Sequence, residues 1–374
     1  MPVELRSADD ARGRHRFVDV PFKLFRHDPD WVPPLRMSVL DRISPKNPAN
    51  AHQVTALWIA YRDGRPVGRI GACVDSAFNE YQQASWGWVG FFEAADDPEA
   101  VGMLFATAWS WLKERGATLA VGPASFTTND EMGLLVEGFD DPPLVLDTHN
   151  PPYYERLWVD NGWEQVMDLW AWRFVRDTIE LSDRQRKILD RVRQRANVSI
   201  RTVNMKDFNA EVGRLFEVYN AAWSKNWGFA PMPEAEIRHL AKQMKPMVDP
   251  KLILVAEKPD GEAVGVSIVL PDINEGMRKI RSGRLLPTGW FHLLRALPKV
   301  TRVRIFAVGV KPDQQALGLG PLLYQEGMQG VKGRPEVLTA EAGWVLANND
   351  PMNKALEAMG GTRSKTWRMY QHAL

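Results

Sequence analysis

Apolar and polar residues follow similar patterns in the two halves of the chain. In each half an Asp-Gly pair separates two apolar, β-branched runs, at residues 57–74 and 252–270. Each pattern predicts a β-hairpin, because Asp-Gly supplies the positive φ that a tight turn requires. The two patterns lie about 195 residues apart, an offset too long for a solenoid repeat and typical of a duplicated domain. The sequence therefore predicts two domains of one fold, residues 1–177 and 178–374.

The remaining pattern adds strands and helices around each hairpin. Further strands are predicted at residues 3–6, 86–92, 119–121, 170–174, 198–203 and 304–310. Helical spacing of apolar residues predicts helices through Phe17, through Leu104, at 153–158, at 183–195 and through Leu215. Residues 127–143 are polar and predict a surface loop. Strands and helices in both halves indicate a mixed α/β protein.

The composition bears on which class of partner the protein binds. The 374 residues are 45% hydrophobic and 25% charged with a formal net charge of +1, which is ordinary for a soluble globular protein. This balance provides no overall attraction to nucleic acid or to a membrane, so we expect a small-molecule partner. No apolar run approaches the roughly 18 residues of a membrane span, and we expect a cytoplasmic protein.

Cysteine and histidine give no metal or nucleophile motif. The single cysteine, Cys73, cannot form an internal disulfide, and the seven histidines are scattered along the chain. No spacing predicts a metal-ligand set or a catalytic triad. The sequence therefore predicts neither a metalloenzyme nor a triad hydrolase.

A strand, a glycine-containing turn and a helix follow one another at residues 304–328. The strand ends before Pro312, because proline removes a donor from the ladder. Gly318 and Gly320 let backbone N–H groups converge without a Cβ between them, and Pro321 suits the first turn of a helix. The positive end of that helix predicts an anion site, and a diphosphate fits it best. Paired glycines also occur in simple tight connections.

The sequence around this turn, VKPDQQALGLG at residues 310–320, resembles the coenzyme A loop of the GNAT acetyltransferase superfamily. The pattern in that family is Gln/Arg-x-x-Gly-x-Gly/Ala, and Gln315, Gly318 and Gly320 fill its three places. The loop matches neither a Walker loop nor a Rossmann fingerprint. The order of strands and helices in each half is also similar to the GNAT fold. The resemblance implies two GNAT-like domains in tandem, each a central, mostly antiparallel sheet flanked by helices.

The resemblance implies an acyl-CoA-dependent N-acyltransferase whose C-terminal domain is catalytic. It implies acetyl-CoA or another acyl-CoA as cosubstrate and the amine of a small molecule as acceptor. The pantetheine arm would lie along the strand residues Ala307, Val308, Gly309 and Val310. The diphosphate would be bound by Gln315 and the backbone of Ala316, Leu317, Gly318, Leu319 and Gly320. Asn349 would lie near the pantetheine, or would only cap the helix that follows it.

The sequence departs from the family pattern at two places. Residues 91–98 of the first half contain acidic residues where a glycine loop would be, so we expect this half to have lost coenzyme A binding. Leu356 stands where many family members have a tyrosine that protonates the leaving thiolate. The proton donor is therefore unassigned, with Tyr324 and Tyr370 as alternatives.

Acyl transfer to an amine also needs a base close to the thioester. Glu341, on the strand after the loop, is the first choice, because the resemblance places that strand beside the carbonyl. Asp272, at the end of the second hairpin strand, is the alternative. Either carboxylate can instead be a structural cap or part of an ion pair.

A basic stretch at residues 276–311 contains no Asp or Glu and includes Trp290, Phe291 and His292. It is interpreted as a solvated loop and helix, as a contact for the 3'-phosphate of coenzyme A or for an acidic acceptor, or, least readily, as a nucleic-acid surface. Aromatic residues here and at 223–229 lie in segments that form the acceptor side in the GNAT fold, which favours a bulky acceptor or a longer acyl chain. A non-catalytic acyl-CoA or metabolite-binding protein is the alternative function, and a homodimer is left open.

Overall fold

The computed structural model describes residues 2–178 and 182–374, which form two compact units. The first unit comprises the chain up to Leu169 together with Asn274–Arg295 and Lys365–Leu374. The second comprises Trp170–Ile273 and Ala296–Ser364. Each unit therefore draws residues from both predicted domains. The assignment of a degenerate domain to residues 1–177 and a catalytic domain to residues 178–374 stays a prediction.

Helices and strands alternate along the described chain. The helices are α1 (Ala11–Leu24), α2 (Arg36–Arg42), α3 (Ser76–Gln82), α4 (Pro98–Lys113), α5 (Tyr153–Asp160), α6 (Asp183–Ala196), α7 (Phe208–Ala222), α8 (Glu234–Met244), α9 (Asn274–Met277), α10 (Gly289–Ala296), α11 (Pro312–Gln315), α12 (Leu319–Lys332) and α13 (Asp350–Ala358). The strands are β1 (Val3–Ser7), β2 (Gln53–Arg62), β3 (Arg65–Asp75), β4 (Trp86–Ala94), β5 (Leu119–Gly122), β6 (Leu134–Glu137), β7 (Glu164–Val175), β8 (Ser199–Thr202), β9 (Ile253–Glu257), β10 (Ala263–Pro271), β11 (Arg302–Val310), β12 (Thr339–Leu346) and β13 (Thr362–Ala373). Short 3₁₀ turns occur at Pro48–Ala51, Arg176–Thr178, Met205–Asp207, Pro250–Leu252 and Leu297–Lys299.

The two units have matching strand orders. In the first unit the order is β1-β2-β3-β4-β5-β13, and in the second it is β8-β9-β10-β11-β12-β7. In each, antiparallel pairs lead to one parallel pair, β4 with β5 and β11 with β12. The last strand of each order comes from the other half of the chain. The predicted mixed sheets, mostly antiparallel and flanked by helices, are confirmed.

Capping residues and buried apolar faces fix the helices at the predicted places. Asp10 accepts a hydrogen bond from the N–H of Gly13 at the start of α1, and Ser182 and Gln185 form a capping box on α6. Helix α4 buries Leu104 and Phe105 in the core of the first unit. The core of the second unit includes Ile305 of β11, among apolar residues of several strands and helices. Within the described residues, no helix is both long and apolar enough to cross a membrane.

The prediction of a loop over residues 127–143 was wrong in part, because the stretch contains strand β6. Leu134 and Leu135 are buried, and β6 pairs with β13. Glu137 accepts a hydrogen bond from the hydroxyl of Thr366 at 2.6 Å. The acidic residues of the stretch favoured a loop prediction. The strand was missed because its partner lies more than two hundred residues further along the chain.

Candidate active site

Strands β11 and β12 separate in the second unit, and the separation exposes one backbone edge of β11. Their parallel register runs only from Arg302↔Thr339 to Ile305↔Ala342. Residues 307–310 of β11 remain paired with β10 on the opposite side, and the register with β10 shifts at Phe306. The N–H and C=O groups on the free edge are therefore outside the ladder with β12, and an extended chain with amide groups can hydrogen-bond to them. The predicted pantetheine residues Ala307, Val308, Gly309 and Val310 lie on this segment.

The glycine turn follows directly and ends at the first turn of α12. Gly318 is the N-cap residue, with φ of 81°, and no side chain caps this helix. The free N–H groups of the first turn therefore have no side-chain acceptor at that end. A Cβ placed on Gly320 would meet nothing within 4 Å, so the space beside this backbone is open. These features fit an anionic group at the start of α12.

Apolar contacts hold α12 in position for this role. Leu319, Leu322 and Leu323 are fully buried in a core that includes residues of α6, β9 and β10. A Cβ placed on Gly265 of β10 would lie 2.8 Å from Cδ1 of Leu323, so the helix packs closely on the strand. The side chain of Gln315 donates a hydrogen bond to the carbonyl of Val310 at 3.1 Å. The structure thus shows Gln315 linking the turn to the end of β11, and its contact with a diphosphate stays a prediction, as do those of Ala316 and Leu317.

Glu341 lies on β12 next to the point where the strands separate. It is buried, and Arg304 is its register partner on β11. Its Oε2 accepts a hydrogen bond from Ser364 Oγ at 2.8 Å and lies 3.3 Å from Nη2 of Arg173. The guanidinium of Arg304 donates to the carbonyl of Gly343 at 3.0 and 3.1 Å, which bridges the two strands at the same level. The role of Glu341 as the base stays a prediction.

Asp272 lies immediately after β10, and its ion pair is shorter and more buried than that of Glu341. Its side chain has no solvent exposure, and its Oδ2 accepts hydrogen bonds from Nε and Nη2 of Arg302 at 3.0 and 2.7 Å. Its backbone N–H donates to the carbonyl of Arg302 at 3.0 Å. This geometry is that of a structural ion pair at the end of a strand. Its role as the alternative base stays a prediction.

The tyrosines considered as proton donors lie in apolar surroundings. Tyr324 packs in the core of the second unit, which also contains the fully buried Leu356, and burial raises the pKa of Tyr324 well above its ordinary value. Tyr370 belongs to the first unit, where its hydroxyl donates to Glu155 at 3.3 Å. Burial also raises the pKa of Tyr370 above its ordinary value. Neither environment favours proton donation, and the thiolate's proton donor stays unassigned.

Asn349 caps the helix that follows β12. Its side chain accepts a hydrogen bond from the N–H of Met352 at 3.3 Å. The neighbouring Asn353, which the sequence did not single out, is buried, accepts from Trp172 Nε1 at 3.0 Å and donates to the carbonyl of Leu346. The capping alternative for Asn349 is thus observed, while its contact with a pantetheine stays a prediction.

An aromatic cluster covers β11 at Gly309. A Cβ placed on Gly309 would lie 2.2 Å from Cζ3 of Trp223, so the ring rests directly on the glycine. Trp223 stacks on Tyr219, with ring centroids 4.7 Å apart, and Tyr219 also contacts Phe229. Apolar walls of this kind line sites for apolar ligands. The other aromatic residues assigned to the acceptor side, Trp290 and Phe291, belong instead to the first unit.

We expect Gly309→Ala to destabilise the protein by about 1–3 kcal/mol, because the new methyl overlaps the Trp223 ring. Chemical denaturation of the variant and of the double variant Gly309→Ala, Trp223→Leu measures the effect, and the smaller side chain should restore most of the loss. Gly213→Ala in α7 is the matched control, since a Cβ there meets nothing within 4 Å. Equal stability of wild type and Gly309→Ala would contradict the packing described.

The corresponding place in the first unit is filled by the chain itself. The N–H of Ala124 donates to the carbonyl of Val89 on β4 at 2.9 Å. A Cβ placed on Gly90 would lie 1.8 Å from the carbonyl oxygen of Ala124. At the start of α4, Asp97 accepts from the N–H of Ala100 and pairs with Arg62. Backbone and a carboxylate thus occupy the places that correspond to the predicted pantetheine and diphosphate sites, and the loss of coenzyme A binding in this half stays a prediction.

We expect Asp97→Ala to lower the free energy of unfolding by about 0.5–2 kcal/mol at neutral pH, the usual range for a lost N-cap. The hydrogen bond from Arg62 lowers the pKa of Asp97, so this contribution is present above the ordinary carboxyl pKa and is lost as pH falls through the lowered value. Urea unfolding at neutral and acidic pH should show the difference shrinking in acid. Asp160→Ala, at the exposed end of α5, is the control.

Sequence reasoning missed the residues that hold Glu341. Arg173 lies on β7 and Ser364 on β13, strands that follow different helices far apart in the chain. No local motif marks either residue. The buried Arg304 was grouped with a basic stretch, although its guanidinium lies over the ring of Trp344 at 4.8 Å from the centroid.

Two curated proteins match the chain over nearly its whole length. The protein named "Bacterial ceramide synthase" from Caulobacter vibrioides is 39% identical over 370 residues, covering 96% of this chain and 94% of that protein. Protein YghO of Escherichia coli is 36% identical over 361 residues, covering 95% and 91%. No protein-family model matches the chain.

Solved structures show the same fold at lower identity. A tandem GNAT protein from the clavulanic acid biosynthesis pathway aligns with a TM-score of 0.56 and 13% identity, covering 99% of this chain and 98% of that one. A GCN5-related N-acetyltransferase from Sphaerobacter thermophilus aligns with a TM-score of 0.52 and 14% identity, covering 99% and 95%. At this identity the likeness supports the tandem fold alone.

Proposed function

Because this chain belongs to the GNAT superfamily, in the tandem family that includes the bacterial ceramide synthase of Caulobacter vibrioides, we propose that it transfers a fatty acyl group from acyl-CoA to the amine of a long-chain amino alcohol. A ceramide is the amide of a fatty acid and such an amino alcohol, so the relative's name fits N-acyl transfer. The observation that carries the proposal is 39% identity across 96% of the chain, combined with the open edge of β11.

Acyl-CoA binding in this proposal uses backbone groups of the second unit. The diphosphate is held by the N–H groups at the start of α12, where Gly320 leaves open space. The pantetheine amides pair with the free edge of β11 at residues 306–310. The thioester then lies where β11 and β12 separate, close to Glu341.

The chemical step is direct attack of the amine nitrogen on the thioester carbonyl carbon. The new C–N bond forms, the C–S bond breaks, and coenzyme A leaves as a thiolate that takes up a proton from solvent, which balances the proton lost by the amine. The amine loses one proton to the carboxylate of Glu341, directly or through water. Backbone N–H groups of β11 stabilise the negative charge that develops on the carbonyl oxygen. The products are an amide and free coenzyme A.

The aromatic cluster of Tyr219, Trp223 and Phe229 supports a long apolar substrate rather than acetyl-CoA with a small polar amine. The Trp223 ring packs on Gly309, on the strand assigned to the pantetheine, and the other two rings extend the cluster from Trp223. An alkyl chain against such a wall gains about 0.8 kcal/mol for each CH₂ group that it buries. The proposed substrates therefore carry long chains on the acyl donor, the amine or both.

The test measures free thiol release and the mass of the product with palmitoyl-CoA or acetyl-CoA as donor and sphinganine or glucosamine as acceptor. We expect thiol release with palmitoyl-CoA and sphinganine, together with an N-palmitoyl product, and little release with glucosamine. Transfer of acetyl to the polar amine alone would contradict the long-chain proposal.

A second candidate function is supported by the buried Leu356 and by the ion pair between Glu341 and Arg173. Both are compatible with a protein that binds acyl-CoA without turning it over. Calorimetric binding of palmitoyl-CoA without thiol release from any amine tested would favour this non-catalytic function.

A further inference from the structure

An exposed apolar patch interrupts the surface of the first unit between residues 286 and 294. Leu286, Trp290, Phe291 and Leu294 have 75%, 46%, 51% and 59% of their surface exposed. The large hydrophobic residues exposed elsewhere in the described chain are separated from one another in sequence by more than ten residues. We call Leu286, Trp290, Phe291 and Leu294 the α10 patch. Contiguous apolar surface of this kind marks an interaction site.

Helix α10 presents three residues of this patch on one side, and Leu286 precedes the helix. At 100° per residue, Trp290, Leu294 and Phe291 occupy one arc of the helix, and Arg295 follows at its edge. The opposite side carries Gly289, which is buried. The indole N–H of Trp290 donates to the carbonyl of Pro287 at 2.9 Å, and the rings of Trp290 and Phe291 contact each other edge to face. The aromatic rings are thus held in fixed positions facing solvent.

The segment is anchored firmly to the first unit. A Cβ placed on Gly289 would lie 2.2 Å from the carbonyl oxygen of Arg284, and one on Gly283 would lie 2.5 Å from the Phe22 ring. Arg281 donates hydrogen bonds to the carbonyls of Arg26, Asp28 and Trp31. The backbone N–H of Arg36 donates to the carbonyl of Gly283 at 3.0 Å. A rigid base therefore supports an exposed apolar face, which costs little ordering entropy on binding.

The chain segment that carries the patch has basic residues and no acidic residues of its own. Residues 276–311 contain no Asp or Glu. Lys279, Arg284 and Arg295 are exposed, and within residues 2–178 and 182–374 none of them forms an ion pair. The other cations of the segment in this unit contact the protein itself. Arg278 pairs with Asp30, and Arg281 donates hydrogen bonds to backbone carbonyls. Free positive charge beside apolar and aromatic side chains is complementary to an anionic lipid surface.

We propose that the α10 patch docks the protein peripherally on anionic membranes, with Trp290, Phe291 and Leu294 entering the headgroup region and Lys279, Arg284 and Arg295 contacting lipid phosphates. The balanced net charge gave no reason to expect a membrane, because it averages over this local concentration of cations. A nucleic acid would use the cations but gains little from the two exposed leucines. The inference rests on this surface and not on the proposed acyl acceptor.

Cosedimentation with vesicles tests the proposal on the full chain. Vesicles of phosphatidylcholine alone are compared with vesicles that contain equal amounts of phosphatidylcholine and phosphatidylglycerol. We expect binding to the anionic vesicles and a decrease with added salt. The variant Trp290→Ser, Phe291→Ser, Leu294→Ser should bind at least about tenfold more weakly. Arg284→Gln and Arg295→Gln should each weaken binding about fivefold.

A matched variant separates this patch from exposed apolar residues in general. Val54→Ser, Met103→Ser, Val159→Ser removes three exposed hydrophobic residues of the same unit and should leave binding unchanged. Circular dichroism and thermal unfolding confirm that each variant is folded. Binding of wild type to neither vesicle would overturn the proposal, as would equal binding by the α10 patch variant.

Two further outcomes would overturn the membrane proposal by assigning the α10 patch to a different partner. The first is a wild-type dimer in light scattering and a monomeric α10 patch variant, with neither protein binding vesicles. This result would make the patch a contact between two copies of the chain. Binding of a fluorescent oligonucleotide that depends on Arg284 and Arg295, without vesicle binding, would assign the surface to nucleic acid. Loss of acyltransferase activity has no bearing on these results, since vesicle binding is measured without substrate.

Discussion

The variant Gly320→Asp should remain folded and should bind palmitoyl-CoA at least about 100-fold more weakly than the wild type. A Cβ at this position meets nothing within 4 Å, so the aspartate fits without displacing a neighbour. An acidic residue in the first turn of a helix also stabilises that helix. The same carboxylate, however, lies where the diphosphate would bind. Two unit charges 4 Å apart repel by about 4 kcal/mol at an effective dielectric constant of 20, which exceeds the loss expected here.

Isothermal calorimetry measures this effect, and Gly213→Asp is the control. Gly213 is also a helical glycine with open space around its Cβ position, but it lies in α7, away from the glycine turn in sequence. We expect the control to bind palmitoyl-CoA like the wild type. If Gly320→Asp is folded and also binds normally, the diphosphate does not lie at the start of α12. Loss of binding in both variants would point to a general loss of structure instead.

Local signals account for the parts of this protein that the sequence predicted well. The Asp-Gly hairpins, the strand before Pro312 and the helix after Gly320 each depend on residues close together in the chain. Turn geometry and helix capping are decided over a few residues, so they can be read from the sequence. The glycine turn belongs to this class, because Gly318 has the positive φ that its position requires.

Long-range pairings account for what the sequence did not predict. Strand β7 lies in the first half of the chain but completes the sheet of the second unit. Strand β13 lies in the second half but completes the sheet of the first unit. A strand's own residues do not specify its distant partner. The ion pair between Arg173 and Glu341 depends on such a strand. The sequence also did not predict that Trp290 is exposed, since an aromatic residue in a helix is most often buried.

The two predicted bases should respond differently to removal of their charge, and Asp272→Asn should act mainly on stability. The side chain of Asp272 has no exposed surface, and that of Arg302 is 17% exposed. Neutralising one partner of a buried pair leaves the other charge uncompensated, and we expect a loss of about 3 kcal/mol. The folded fraction of this variant should keep a kcat close to that of the wild type.

Glu341→Gln should instead lower kcat by about 10²–10⁴, the usual contribution of a general base, with little change in the affinity for palmitoyl-CoA. Glutamine has nearly the same shape and still accepts the hydrogen bond from Ser364. Arg173 is 31% exposed and can be solvated by water, so the lost ion pair should cost at most about 1 kcal/mol. Single-turnover thiol release with sphinganine, together with urea unfolding of both variants, separates the two effects. A catalytic loss in Asp272→Asn and not in Glu341→Gln would transfer the role of base to Asp272, because loss of the general base lowers the rate of the chemical step without weakening acyl-CoA binding.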